Sequence, residues 1–166
     1  MNFYLTTGTL SFLKSIQQKH QEQNLILLAN ATTAALLHET TKKTLFQSPR
    51  KFEVVDQYGR IGQEGFWAMD HIPVTIEDQP TFEFQLKDRL NILNSQNGFL
   101  AYRFLRPIHS DTYVVLTVWE DEKAYTAWDH KHTIQELYAK QQKSSQVLFT
   151  GKPYVSTFHA YIEKES

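Results

Sequence analysis

Hydrophobic positions change period several times along this chain, and each change marks an element. The clearest text is residues 98–128. Residues 99–105 set apolar Phe99, Ala101, Phe104 and Leu105 around Tyr102 and Arg103. That pattern predicts a strand, stopped by Pro107 and turned by His109-Ser110-Asp111. Residues 113–119 are β-branched and aromatic, which suits a strand in a sheet interior. Asp121 is then placed to cap a helix whose Ala124, Tyr125 and Trp128 share one face.

The same reading extends to the rest of the chain. Residues 2–7 predict a strand, Gly8 a break, and Thr9 the cap of a helix with Leu10, Phe12, Leu13 and Ile16 on one face. Residues 25–30 and 34–39 predict a hairpin, 40–50 a polar loop and 52–57 a further strand. A glycine-marked joint at 62–65 leads into a strand over 66–74, where Met69 and Ile72 flank Asp70 and His71. Pro80 opens a helix striped by Phe82, Leu86, Leu90 and Leu93 and ended by Asn97-Gly98. Beyond Trp128, Thr133 and Glu136 form a capping box for another helix, with Ile134, Leu137 and Tyr138 on its inner face. A turn at 151–153 leads to a final strand over 154–162.

Set side by side, residues 2–58 and 66–162 repeat one order of elements, the βαββαβ order of a ferredoxin-like unit. The N-terminal copy is reduced in its second helix. The expected fold is therefore α+β, with two ferredoxin-like halves, residues 1–61 and 62–166, packed as an α+β barrel within one chain. Because the usual pairing surface is then internal, a monomer or at most a weak homodimer is expected.

Composition narrows the function without naming it. The chain is 41% hydrophobic and 13% aromatic, enough for a substantial core, and its formal charge is -1. Neither a basic field for nucleic acid nor an acidic tail is present. The absence of cysteine excludes disulfides, thiol nucleophiles and zinc-thiolate sites. The longest apolar runs, such as residues 25–29, are strand-length, so no membrane partner is expected. The start MNFYLTTGTL lacks the basic and apolar regions of a signal peptide, so a cytoplasmic location is expected. No nucleophile triad, phosphate loop, flavin motif or nicotinamide motif is visible. Seven histidines are enough for a metal site. Asp70 with His71 reads either as an acid–base or metal pair or as a solvated pair on an edge strand. His130 and His132 read either as ligands or as loop polar groups.

Four stretches carry a resemblance: TTGTLSFL (6–13), SPRKFEVVDQ (48–57), FLRPIHSDTYVVLTVWE (104–120) and the helix ending at Trp128. With these the chain resembles the antibiotic biosynthesis monooxygenase (ABM) superfamily. Within it, the likeness is to long haem-degrading monooxygenases of the HmoB type and to TRAP-type signal transduction proteins. The resemblance implies haem as substrate and cofactor, with an electron donor as the other partner. In the haem-degrading members an Asn amide bonds to the iron-bound oxygen species, a Trp presses on the porphyrin and a His ligates the iron. Position by position, the Trp falls on Trp128, the Asn on Asp70 and the His on Tyr138.

Two of these positions depart from the pattern. An ionised Asp offers no hydrogen to donate, and a Tyr ligates iron as phenolate, which favours the ferric state. His71, His130 and His132 are nearby substitutes as ligand. Three readings follow: a haem-degrading monooxygenase weakened by the two departures, a non-enzymatic TRAP-like regulatory or stress protein, or a cofactor-free ABM oxygenase. For Trp128 and Tyr138 the plain alternative is a core aromatic on a helix inner face.

Overall fold

The computed structural model describes residues 1–129 and 149–163. The first half runs β1 (Asn2–Gly8), α1 (Leu10–Lys19), β2 (Ile26–Ala29), β3 (Ala34–Thr40) and β4 (Arg50–Tyr58). The second runs β5 (Phe66–Pro73), α2 (Gln79–Leu90), β6 (Phe99–Ile108), β7 (Thr112–Trp119), α3 (Glu122–Asp129) and β8 (Tyr154–Ala160). The strands close into a barrel in the order β1-β3-β2-β8-β5-β7-β6-β4. Each half keeps the ferredoxin-like order within this ring, β4-β1-β3-β2 and β8-β5-β7-β6. The halves join edge to edge through β2·β8 and β4·β6, so each seam pairs the second strand of one half with the fourth of the other. The expected α+β barrel of two ferredoxin-like halves is thus what the chain builds. Closure gives every strand a neighbour on both sides over at least part of its length.

Strand alternation divides the side chains between the bore and the outer faces. Phe3, Leu37, Phe52, Trp67, Met69 and Leu116 fill the bore. On the outer face of the second half, Ala68, Ile72, Tyr113 and Trp119 lie beneath Phe82 and Leu86 of α2 and Tyr125 and Trp128 of α3. On the first half, Tyr4, Leu27 and Leu36 lie beneath Leu13 of α1. Two of the expected helix caps form: Thr9 Oγ1 accepts from the Phe12 N–H at 3.3 Å, and Asp121 Oδ1 from the Ala124 N–H at 2.9 Å.

Several expectations are corrected. Pro107 does not end its strand; it pairs with Phe52 inside β6. The β6·β7 ladder stops at Leu105–Val114, so beyond it β6 has a neighbour on one side only and a missing N–H is tolerated. Phe12 is 62% exposed, because Leu13 alone of α1 is fully buried against the sheet. β5 is not an edge strand but lies between β7 and β8. The helix expected from Thr133 onward, with Ile134, Leu137 and Tyr138, lies outside the described residues.

The joint between the halves is fixed by side-chain bonds at both ends. Gln63 Oε1 accepts from the Leu27 N–H at 2.9 Å, and its Nε2 donates to the carbonyls of Leu27 and Tyr161. The amide thereby reinforces the end of the β2·β8 seam, where the Tyr161 N–H also donates to the Leu27 carbonyl at 2.9 Å. At the other end, Arg103 Nη1 donates to the carbonyls of Tyr58 and Gly59. Gly59 has φ +76, and an added Cβ would meet the Leu100 carbonyl at 2.3 Å, so this tight turn needs glycine.

Candidate functional site

The helix-covered face of the second half carries two of the residues singled out above, at separate places along it. Regular pairing of β5 with β7 puts Asp70 on the same face as Ala68 and Ile72, opposite Val115 on β7 and Val155 on β8. Asp70 is half-buried there. Trp128 reaches this face from the last turn of α3 and is 6% exposed. Its ring packs on Trp119 at 5.3 Å and Tyr125 at 6.4 Å between centroids. The Trp128 indole N–H is buried and finds no acceptor among the described residues. By contrast the Trp119 indole donates to Thr117 Oγ1 at 2.9 Å. Buried donors are ordinarily paired, so Trp128 Nε1 marks a place where an acceptor is wanted. Tyr125 of α3 packs on Phe66, four residues before Asp70 on β5. That separation is on the order of 13 Å along the strand.

A charged cluster anchors α2 over the same sheet. Glu83 accepts from Arg106 Nε at 2.8 Å and Nη2 at 2.6 Å, and from the Tyr113 hydroxyl. Burial pushes the Glu83 carboxyl up, but the hydrogen bonds from Arg106 and Tyr113 outweigh it and hold the group below its usual range. Burial and the Glu83 carboxylate together raise the Tyr113 hydroxyl, which stays protonated.

His71 does not join Asp70. The two are adjacent on β5 and therefore point to opposite faces, so the acid–base or metal pair suggested by adjacency does not form. His71 lies on the bore side, 4% exposed, and stacks on Tyr154 at 4.4 Å and 8°. Its Nε2 is 2.7 Å from Ser156 Oγ. Burial, reinforced by Arg50, lowers its pKa to about 4. This places His71 on the wrong side of the sheet to substitute as a ligand beside Trp128. His130, His132 and Tyr138 lie outside the described residues. Among the described residues no group of three or more His, Asp or Glu is placed to hold a metal ion, and no helix is long and apolar enough to cross a membrane.

Sequence reading missed a second polar locus, inside the barrel. Arg103 shares strand parity with Ala101 and Leu105 and so points into the bore, where it is 5% exposed. Its Nε donates to Glu39 Oε2 at 2.6 Å across the bore. A charge on the inward parity of an otherwise apolar strand was the available signal.

Comparison with known proteins fits this architecture. The antibiotic biosynthesis monooxygenase family profile matches residues 66–140. The signal transduction protein TRAP of Staphylococcus epidermidis is 25% identical over 162 residues, covering 98% of this chain and 96% of that protein. A solved structure described as a major regulator of staphylococcal pathogenesis superposes with a TM-score of 0.85 at 22% identity, over 98% of this chain and 100% of the other. LmHde, a haem-degrading enzyme from Listeria monocytogenes, superposes with a TM-score of 0.77 at 18% identity, over 97% and 100%. At these identities the structural likenesses show the fold. The chain carries an ABM domain match at residues 66–140, within a two-half barrel similar along nearly its whole length to the TRAP proteins.

Proposed function

We propose that this chain binds haem on the helix-covered face of its second half, between Asp70 and Trp128, and turns it over poorly when given an electron donor. The observation that carries the reading is the buried Trp128 N–H without an acceptor among the described residues, on the face that Asp70 also occupies. The LmHde likeness supports haem chemistry on this fold but fold alone does not assign it. When bound and reduced, haem supplies the iron centre at which oxygen is activated. The chain's own contribution is a flat aromatic wall from Trp128 and, at Asp70, a carboxyl group. That carboxyl donates a hydrogen bond only when protonated. By the family resemblance Tyr138 would hold the iron, and a phenolate there would favour the ferric state. Both positions therefore slow the reaction relative to an Asn and His pair.

The test is a haem titration followed by ascorbate. The parent should develop a Soret band that decays slowly, and Asp70→Asn with Tyr138→His should speed that decay well above the parent. Fast decay in the parent, unchanged in Tyr138→Phe, would refute the assigned roles.

A second reading rests on the extent of the TRAP similarity, 98% of this chain and 96% of that protein. In it the barrel is kept as a regulatory or stress protein without the chemistry. Failure of both parent and double variant to bind haem would favour it.

A further inference from the structure

Under the joint between the halves lies a cavity of about 400 Å³ at one mouth of the barrel. Its apolar wall is Leu25, Ile26, Leu37 and Ile61, and its polar groups include Arg60, Arg103 and Glu39. We propose that this cavity binds a small monocarboxylate with an aliphatic body. The site is separate from the face that carries Asp70 and Trp128 and does not depend on the haem reading.

Three observations lead there. The first is preorganisation. Arg103 holds one end of the joint through the Tyr58 and Gly59 carbonyls, and Gln63 holds the other through Leu27 and Tyr161. The intervening Arg60–Ile61–Gly62 segment is thus fixed across the mouth before any ligand arrives, which lowers the ordering cost of binding.

The second is charge. Arg60 and Arg103 against Glu39 leave the lining with one surplus positive charge. Arg103 Nε and Nη1 are fully used, but Nη2 makes only a 3.4 Å contact with Glu39 Oε1. It therefore retains donor capacity. Arg60 is exposed at the rim and has no ion-pair partner among the described residues. Two guanidinium groups facing one space suit a carboxylate, which accepts from both. A monoanion leaves the lining neutral.

The third is shape. Ile26 and Leu37 belong to the apolar filling of the bore, so the cavity floor is hydrocarbon while its rim is cationic. An amphipathic acid matches that gradient in one orientation, and the volume lies within the range of small-molecule sites.

The test uses the whole protein with hexanoate as probe, followed by backbone amide chemical shifts. Saturable shifts are expected at residues 24–26, 37–39 and 60–63, with none around Trp128. Hexylammonium and inorganic phosphate at equal concentration should leave those residues unmoved. Arg60→Gln should weaken hexanoate about tenfold, the loss of one charge-assisted hydrogen bond. Ile61→Asp, which sets a second carboxylate in the lining, should abolish binding while the spectrum elsewhere keeps its folded dispersion. Hexanoate shifts scattered over the surface would overturn the proposal. So would equal binding of hexylammonium, displacement by phosphate at the same concentration, or no effect of Arg60→Gln.

Discussion

Acidification should destabilise this protein through one residue in the bore, His71. The imidazole has a folded pKa of about 4, against 6.5 for the free side chain. Burial is the main cause and the Arg50 charge the lesser one. Above pH 6.5 both folded and unfolded chains hold the ring neutral, and the stabilisation is fully present. As pH falls from 6.5 toward 4, the unfolded chain takes up a proton that the folded chain refuses, so stability drops. Below pH 4 both states are protonated and the loss stops growing. At about 1.4 kcal/mol per pH unit this interval amounts to about 3 kcal/mol, and His71 is buried enough that solvent screening takes little from it.

The matching control is His71→Phe with Ser156→Ala. This keeps a ring against Tyr154 and removes both partners of the 2.7 Å hydrogen bond, so no polar atom of that pair is stranded. Urea unfolding of parent and variant across pH 7.5 to 4 should give curves that diverge below pH 6.5, the parent losing about 3 kcal/mol more by pH 4. Glu83 and His38 titrate in both proteins and cancel in the difference. Parallel curves, or an imidazole resonance of His71 titrating between pH 6 and 7, would refute the reasoning.

The two packed tryptophans of α3 and β7 should separate by role. Trp119→Ala, which removes a fully buried ring and its bond to Thr117, should lower stability by roughly 3–5 kcal/mol in a denaturant melt. Trp128→Ala should cost less stability and more haem affinity, and the reverse order would show the roles exchanged. Light scattering at micromolar concentration should give a monomer or a weak dimer, since the barrel already closes through β2·β8 and β4·β6 within one chain. A tight dimer paired through the second half's sheet would contradict this.

The elements and their repeat were legible in the sequence because they depend on local chemistry. Period, caps and turn residues act over a few positions. Thus Thr9 and Asp121 were found as caps, and the Phe82, Leu86 and Leu90 stripe as the buried side of α2. The doubled βαββαβ order likewise implied two sheets whose bare faces need covering. What local chemistry leaves open is which strand parity faces the bore and which edges meet, because both follow from closure of the whole ring. Strand alternation alone sends Asp70 and His71 to opposite faces, but only closure decides that Asp70 takes the helix-covered face and His71 the bore. Pro107 reads as a strand end but is accepted inside β6 where β7 has already departed. Arg103 reads as one polar residue among several, yet becomes a buried charge because Glu39 meets it across the bore from β3. The cavity beside that pair exists only because the joint at residues 59–63 is held over the barrel mouth by bonds from distant strands. No pattern along a single strand encodes that arrangement.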